Sequence, residues 1–363
     1  MNIVHLQLSG GIGGISVLTR DLAKISDNNN MFYFLFEGGI IADDMAKNGS
    51  LVHIENGRHF DFIGEAIKFT KFCKKNKADI IIAHTGSPIC RFLALYAKKH
   101  IKNTKLLIYF HSNAFLGGYN NKIKKILDDK IEETAFKSCN YAVAISDSVK
   151  ESFIKKYGFN ADKIKVVYNG VDTEKFAPNF SKSTDKFTIT YVGRVLKFKG
   201  IHTLIEAAAL LNHSNINIQI IGTAYDGYDK ELLSLAKEKD IEKQVQLCGA
   251  QTNVEQWLQS SQLFVHPTMA EEGFGLTLAE ALSCGVPCAA FDEGAMKEII
   301  INGKNGFIAD ELTAQGLAHA IEKIYIIWKN DFEKYIEMCR YSRESAKRFE
   351  LKNTLRQLEE LYK

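Results

Sequence analysis

A chain of 363 residues is too long for one ordinary domain and points to two or three. Hydrophobic residues make up 46% of it, enough for real cores, yet no stretch approaches the ~20 consecutive apolar residues that a membrane-spanning helix needs. The net charge of +3 gives no ground for a nucleic-acid partner.

Charge is nonetheless unevenly placed. Residues 1–175 hold 25 Lys and Arg against 18 Asp and Glu, and within 58–105 the count is 11 basic to 3 acidic. A solvated helix surface would explain this, and so would a face turned to anionic lipid or an anionic acceptor. The N-terminal MNIVHLQLSGGIGG lacks a charged lead and a long apolar block, so it reads as a first strand and not a secretion signal, and a cytoplasmic protein is expected. Seven scattered cysteines without a C-x-x-C pair suggest reduced core thiols and no structural zinc.

In chain order, the first strand, Asn2–Leu8, runs into Gly10-Gly11-Ile12-Gly13-Gly14 and a helix through about Ile25. Glycines there permit a tight turn and close approach of a phosphate to the backbone. A nicotinamide-binding fingerprint fails at its third glycine, where Ser16 stands. Strands and helices then alternate: Met31–Phe36, Leu51–Ile54, a helix over Phe62–Lys75, Asp79–His84, a helix opened by Ser87-Pro88, and Lys105–Phe110 ending at His111. A helix over Tyr119–Ser138, strand Tyr141–Ile145 and strand Lys165–Tyr168 complete the first half, and polar Glu174–Lys186 reads as a linker. The second half repeats the pattern: Phe187–Val192 with Gly193-Arg194 and Lys199-Gly200, then Ile216–Ile221, a helix over Asp229–Lys239, Val245–Cys248 with Gly249, Leu263–Val265, and Cys288–Phe291. Such alternation implies two α/β domains, each a doubly wound parallel sheet covered by helices on both faces.

The most informative stretch is His266–Pro287, HPTMAEEGFGLTLAEALSCGVP. It reads as a strand end, an acidic glycine turn and a short helix, Leu276–Cys284, stopped by Gly285 and Pro287. In a doubly wound sheet that turn lies at the carboxyl edge, where a helix N-terminus offers N–H groups to an anion. Carboxylates beside a bare phosphate would repel it, whereas a nucleotide-sugar supplies hydroxyls for them and a diphosphate for the N–H groups. Glu272-Gly273-Phe274-Gly275-Leu276 followed by Glu280 resembles the E-x7-E signature of the retaining glycosyltransferases of family GT4. Gly193-Arg194 with Lys199-Gly200, and Asn169-Gly170-Val171-Asp172, are also similar to that family, and the motif order spans nearly the whole chain.

The resemblance implies the GT-B fold: two Rossmann-like domains facing a cleft, residues 1–175 for the acceptor and 176–344 for the nucleotide-sugar donor. The final helix, about Ser345–Tyr362, should cross back to the first domain. Residues implied at the donor site are Gly13, Gly14, Gly193, Arg194, Lys199, Gly249, Glu272, Gly273, Phe274, Gly275, Leu276 and Glu280. Glu272 resembles the residue that holds hydroxyls of the transferred sugar, and Glu280 the one that holds ribose. His111 matches a histidine that touches the donor sugar, although Ser112 stands where the family has Asp. Glu298 matches an acidic position in a glycine-rich loop, but Gly294-Ala295 departs from its usual Gly-Gly.

Breaking a sugar–diphosphate bond leaves a highly charged group, so charge stabilisation should dominate catalysis. The sequence has no D-x-D to hold a metal, and Arg194 and Lys199 can supply the positive charge. No cofactor or metal is expected beyond the donor substrate. A glycosidase would need two carboxylates on opposite sides of one bond, which neighbours at one helix start do not provide. The expected function is transfer of a hexose-type sugar, from UDP first of all, to a cell-envelope glycan or lipid-linked oligosaccharide. A transferase acting on a membrane lipid or small molecule and a silent nucleotide-sugar-binding subunit remain open.

Overall fold

The computed structural model describes residues 1–57, 61–84, 87–114, 121–182 and 185–363. These divide into two compact units, Met1–Gly170 with Leu351–Lys363, and Val171–Glu350. The division falls at 170/171 and 350/351, a few residues from the expected 175/176 and 344/345. Arg58, at the head of the basic cluster, Tyr119 and Asn120 of an expected helix, and Ser183 and Thr184 of the expected linker lie outside the described residues.

In the first unit the strands are β1 (Asn2–Ser9), β2 (Asn29–Glu37), β3 (Leu51–Ile54), β4 (Ile80–Ala83), β5 (Lys105–Phe110), β6 (Tyr141–Ala144) and β7 (Ile164–Val166). They form a parallel sheet in the order β3-β2-β1-β4-β5-β6-β7. Its central strands are apolar without alternation, as in Ile80–Ala83, where every residue is buried, because helices cover both faces. The helices are α1 (Gly14–Ile25), α2 (Ile40–Lys47), α3 (Phe62–Lys75), α4 (Pro88–His100), α5 (Lys122–Ser138) and α6 (Asp147–Tyr157). Ser146 starts α6 by accepting the Val149 N–H, a structural role for a buried residue at a strand end.

Several of the lysines between 68 and 105 have partners within the first unit. Lys68 is engaged by Glu55 and Glu65, Lys98 donates to the Thr104 carbonyl, and Lys105 donates to the Tyr362 carbonyl at 2.8 Å. Lys71, Lys74, Lys75, Lys99 and Lys102 are exposed and form no ion pair among the described residues.

The second unit contains β8 (Phe187–Val192), β9 (Ile216–Ile221), β10 (Val245–Gly249), β11 (Leu263–His266), β12 (Cys288–Ala290) and β13 (Gly306–Ile308). They are parallel in the order β10-β9-β8-β11-β12-β13. Its helices are α7 (Ile201–Leu211), α8 (Tyr228–Glu238), α9 (Val254–Ser260), α10 (Leu276–Ser283), α11 (Met296–Ile299), α12 (Ala314–Asn330) and α13 (Phe332–Ala346). A core of Phe187, Tyr191, Leu204, Ile218, Ile321 and Trp328 fills the space between sheet and helices. In this sheet the strand order reverses between β8 and β11, so the loops leaving these two strands flank the crevice where doubly wound folds bind ligands.

The tail is broken where one helix was expected. After α13 ends, a 3-10 turn over Lys347–Phe349 precedes a separate helix, α14 (Leu351–Tyr362). Buried Leu351, Thr354, Leu358 and Tyr362 lie on one face of α14, which packs on α1 in the first unit. Asn28 donates to Glu359 at 2.7 Å and Thr354 to the Tyr168 carbonyl at 2.9 Å, fixing it there.

Candidate functional site

Both loops at the β8/β11 switch point are shaped by glycine. Gly200 caps α7 with φ +68°, and a Cβ there would sit 1.9 Å from the Pro267 carbonyl oxygen, so only glycine lets the two loops meet. Gly275 caps α10, also in the left-handed region. Neither helix has a side-chain cap or an acid in its first turn, which leaves its N-terminal N–H groups and partial positive charge for an anion.

Between these helix starts Lys199 Nζ donates to Glu272 Oε2 at 2.6 Å. Both side chains are largely buried, at 16% and 26% exposure. His266 Nε2 lies 3.6 Å from the same carboxylate oxygen, and Thr268 Oγ1 lies 3.2 Å from that nitrogen. Burial alone would raise the Glu272 carboxyl, but His266 and Lys199 outweigh it and hold the group at about 2. The Glu272 backbone is fixed too: its carbonyl accepts the Ala295 N–H at 3.0 Å. A Cβ on Gly294 would sit 2.1 Å from that carbonyl oxygen. The Gly294-Ala295 pair that departs from the family pattern thus buttresses Glu272. Phe274, next in the turn, packs edge-on against Phe349 at 5.2 Å.

Of the other expected residues, Arg194 is exposed and has no carboxylate partner among the described residues. Its backbone is set by the Tyr191 hydroxyl, which donates to the Arg194 carbonyl at 2.9 Å. Glu280 lies partly exposed on the second turn of α10, and Gly273 and Leu276 flank the helix start. Gly193 and Gly249 bracket Gly222, whose N–H donates to the Gly249 carbonyl at 2.8 Å. Gly249 and Gly222 also line a cavity of about 410 Å³ at the ends of β9 and β10, with Thr223, Asp229, Leu247 and Ala250. Its lining includes neither Lys199 nor Glu272. Glu298 sits in α11, where its carbonyl accepts from Arg348.

Gly13, Gly14 and His111 belong to the first unit. A Cβ on Gly13 or Gly14 would meet nothing within 4 Å, so this side of the loop is open; Gly10 is the tightly packed glycine, facing Ala42 Cβ at 2.5 Å. His111 Nε2 is 3.1 Å from His84 Nδ1. His266 and Thr268 escaped the sequence reading as site residues. The available signal was the position of His266, a polar residue ending an apolar strand directly before the acidic turn. Among the described residues no group of three or more His, Cys, Asp and Glu side chains converges as a metal site, and no helix is long and apolar enough to cross a membrane.

Two doubly wound units, the second with a lysine–carboxylate pair between two glycine-capped helix starts at its switch point, define the GT-B class of glycosyltransferases. Residues 12–175 match the family described as Glycosyltransferase Family 4, and residues 172–346 match Glycosyl transferases group 1. Together the two matches span residues 12–346, and the chain is a glycosyltransferase. It is 22% identical to the capsular polysaccharide biosynthesis glycosyltransferase CapH of Staphylococcus aureus, over 100% of this chain and 98% of CapH. It is 27% identical to the UDP-Gal:alpha-D-GlcNAc-diphosphoundecaprenol alpha-1,3-galactosyltransferase of Escherichia coli, over 93% of this chain and 86% of that one. In fold it is similar to Anabaena HepE, solved in complex with UDP, with a TM-score of 0.83 at 22% identity over 99% of both chains.

Proposed function

We propose that this glycosyltransferase is retaining and metal-independent, and that it moves a hexose or N-acetylhexosamine unit from a UDP-sugar to a glycan or lipid-linked acceptor in cell-envelope polysaccharide synthesis. The reaction is assigned to the cytoplasmic face of the membrane. The observation that carries the reading is the Lys199–Glu272 pair at 2.6 Å between the starts of α7 and α10. A site that holds both a cation and an ionised carboxylate suits a ligand with a diphosphate and sugar hydroxyls side by side.

On donor binding Lys199 turns from Glu272 to the diphosphate, with Arg194 as a second, fork-shaped donor. Charge growing on the leaving phosphate is then met by fixed cations and helix N–H groups. Glu272, held ionised, accepts hydrogen bonds from hydroxyls of the transferred sugar, and Glu280 from ribose. The cavity beside Gly249 is of a size for the base, and His111 is assigned to a sugar hydroxyl. HepE in complex with UDP and the UDP-Gal donor of the E. coli relative support UDP as carrier; CapH and the diphosphoundecaprenol acceptor support an envelope glycan.

The test is a panel of UDP-sugars incubated with cell-envelope lipid extract in the presence of a chelator, following UDP release and the anomeric configuration of the product. Acceptor-dependent release with an α-linked product from an α-linked donor is expected. Release that requires an added divalent metal, or an inverted product, contradicts the corresponding part of the reading.

A further inference from the structure

Three buried or half-buried histidines run across the first sheet. His5, in β1, places Nδ1 2.8 Å from His84 Nε2. His84, just past the end of β4, places Nδ1 3.1 Å from His111 Nε2. The far end is closed by Asn30 in β2, whose Oδ1 lies 2.9 Å from His5 Nε2. The Asn30 amide cannot point the other way, because its Nδ2 donates to the Asn28 carbonyl at 3.0 Å.

A neutral imidazole has one N–H donor and one bare acceptor nitrogen. Asn30 Oδ1 can only accept, so His5 carries its proton on Nε2 and leaves Nδ1 bare. His84 must then donate from Nε2 to that nitrogen, which leaves its own Nδ1 bare. His111 donates from Nε2 in turn, and its Nδ1, which has no partner among the described residues, is a bare acceptor. The whole chain runs one way, set by one amide.

We infer that His5, His84 and Asn30 are positioning residues for His111: they lock its tautomer so that the ring meets the substrate with a bare Nδ1, as an acceptor for a sugar hydroxyl. This rests on the assignment of His111 to the sugar site made above. The neutral state that the logic requires is enforced by the surroundings. Burial lowers His5 to about 4 and His111 to about 3, and it puts His84 well below the usual range. Arg91 on α4 adds its charge against imidazolium at His84 and His111. That guanidinium is itself held by Glu132 of α5 at 3.2 Å and the Ala83 carbonyl at 2.8 Å. Tyr109 of β5 packs on both rings, 5.4 Å from His84 and 4.3 Å from His111. Phe32 of β2 stacks on His5 at 4.8 Å. No carboxylate among these neighbours contacts a histidine, so nothing offsets the cost of charging the chain.

The test is nitrogen NMR of the full chain with ring-labelled histidine at pH 7, with His5→Phe, His84→Leu and His111→Ala for assignment. All three rings should be neutral and carry the proton on Nε2. Asn30→Leu removes the end acceptor, so His111 should become a mixture of tautomers, with kcat/KM for the UDP-sugar falling about tenfold and affinity for free UDP unchanged. His111 found charged, or with its proton on Nδ1, overturns the relay whatever the activity. A relay visible in the spectra with normal turnover by His111→Ala overturns its positioning role. Failure of the wild type to bind UDP would count against the proposed function instead, and the spectra would still decide the relay.

Discussion

Lys199 Nζ and Glu272 Oε2 sit 2.6 Å apart although 73 residues separate them in sequence. Their loops are locked together by the contact of Gly200 with the Pro267 carbonyl. The ion pair holds both charges in place between the two helix starts. Its pH dependence follows from the carboxyl held at about 2. Because that group is depressed on folding, its stabilisation is fully present above the unfolded value of ~4.5 and is lost as pH falls through ~2. Lys199→Met should therefore cost roughly 1–2 kcal/mol at pH 7, and the difference from wild type should shrink between pH 4.5 and 2. Urea unfolding at a series of pH values measures this; a difference that persists unchanged at pH 2 contradicts it.

In the proposed donor site Glu272 accepts from the transferred sugar and Glu280 from ribose, so Glu272→Gln and Glu280→Gln should fail in different ways. The first should lower kcat and leave binding of free UDP near normal. The second should weaken UDP-sugar and free UDP alike, by roughly tenfold for a lost charged hydrogen bond. Calorimetric titration of UDP into both variants separates the assignments, and wild-type affinity in Glu280→Gln removes the ribose role.

Gly294 adopts φ +63° with the Glu272 carbonyl oxygen where its Cβ would be. Gly294→Ala should cost on the order of 1–3 kcal/mol and displace Glu272, weakening donor binding as well. Thermal unfolding with and without UDP-sugar reads both effects, and an unchanged Tm would contradict the packing described.

The doubly wound sheets were legible because buried parallel strands such as Ile80–Ala83 are apolar throughout and end at glycine or polar turns. The acidic turn was legible because several ordered residues, Glu272 to Glu280, carry one pattern. Contacts between distant loops were not. Nothing in the sequence ties His266 to Glu272, and Gly294-Ala295 read as a departure until its N–H and missing Cβ were found against the Glu272 carbonyl. The engagement of Lys68 by two carboxylates, and of Lys98 and Lys105 by carbonyls, escaped for the same reason: a lysine on a helix face reads as solvated whatever carbonyl or carboxylate folding brings near. The break at Lys347–Phe349 was hidden because the tail carries no proline or glycine there.

Lys71, Lys74, Lys75 and Lys99 remain exposed on α3 and α4. The neighbouring α5 exposes Ile123, Ile126 and Leu127 beside Lys122, Lys124 and Lys125. Each lysine near an anionic bilayer contributes on the order of 1 kcal/mol, screened by salt. The enzyme should therefore sediment with anionic vesicles at low salt and be released as salt is raised. Replacing Lys71, Lys74, Lys75 and Lys99 with Gln should abolish this and leave UDP binding intact. Equal sedimentation with neutral vesicles, or none at low salt, returns these lysines to a solvated surface.

The most direct measurement is turnover of a UDP-sugar, in chelator, by wild type, Arg194→Ala and Lys199→Ala, with Tm recorded for each. If both cations meet the leaving diphosphate as proposed, each should be worth roughly 3 kcal/mol in the transition state, so each variant should lose at least about a hundredfold in kcat while staying folded. Near-normal turnover in both folded variants would contradict the assignment of the donor site to this pair of loops.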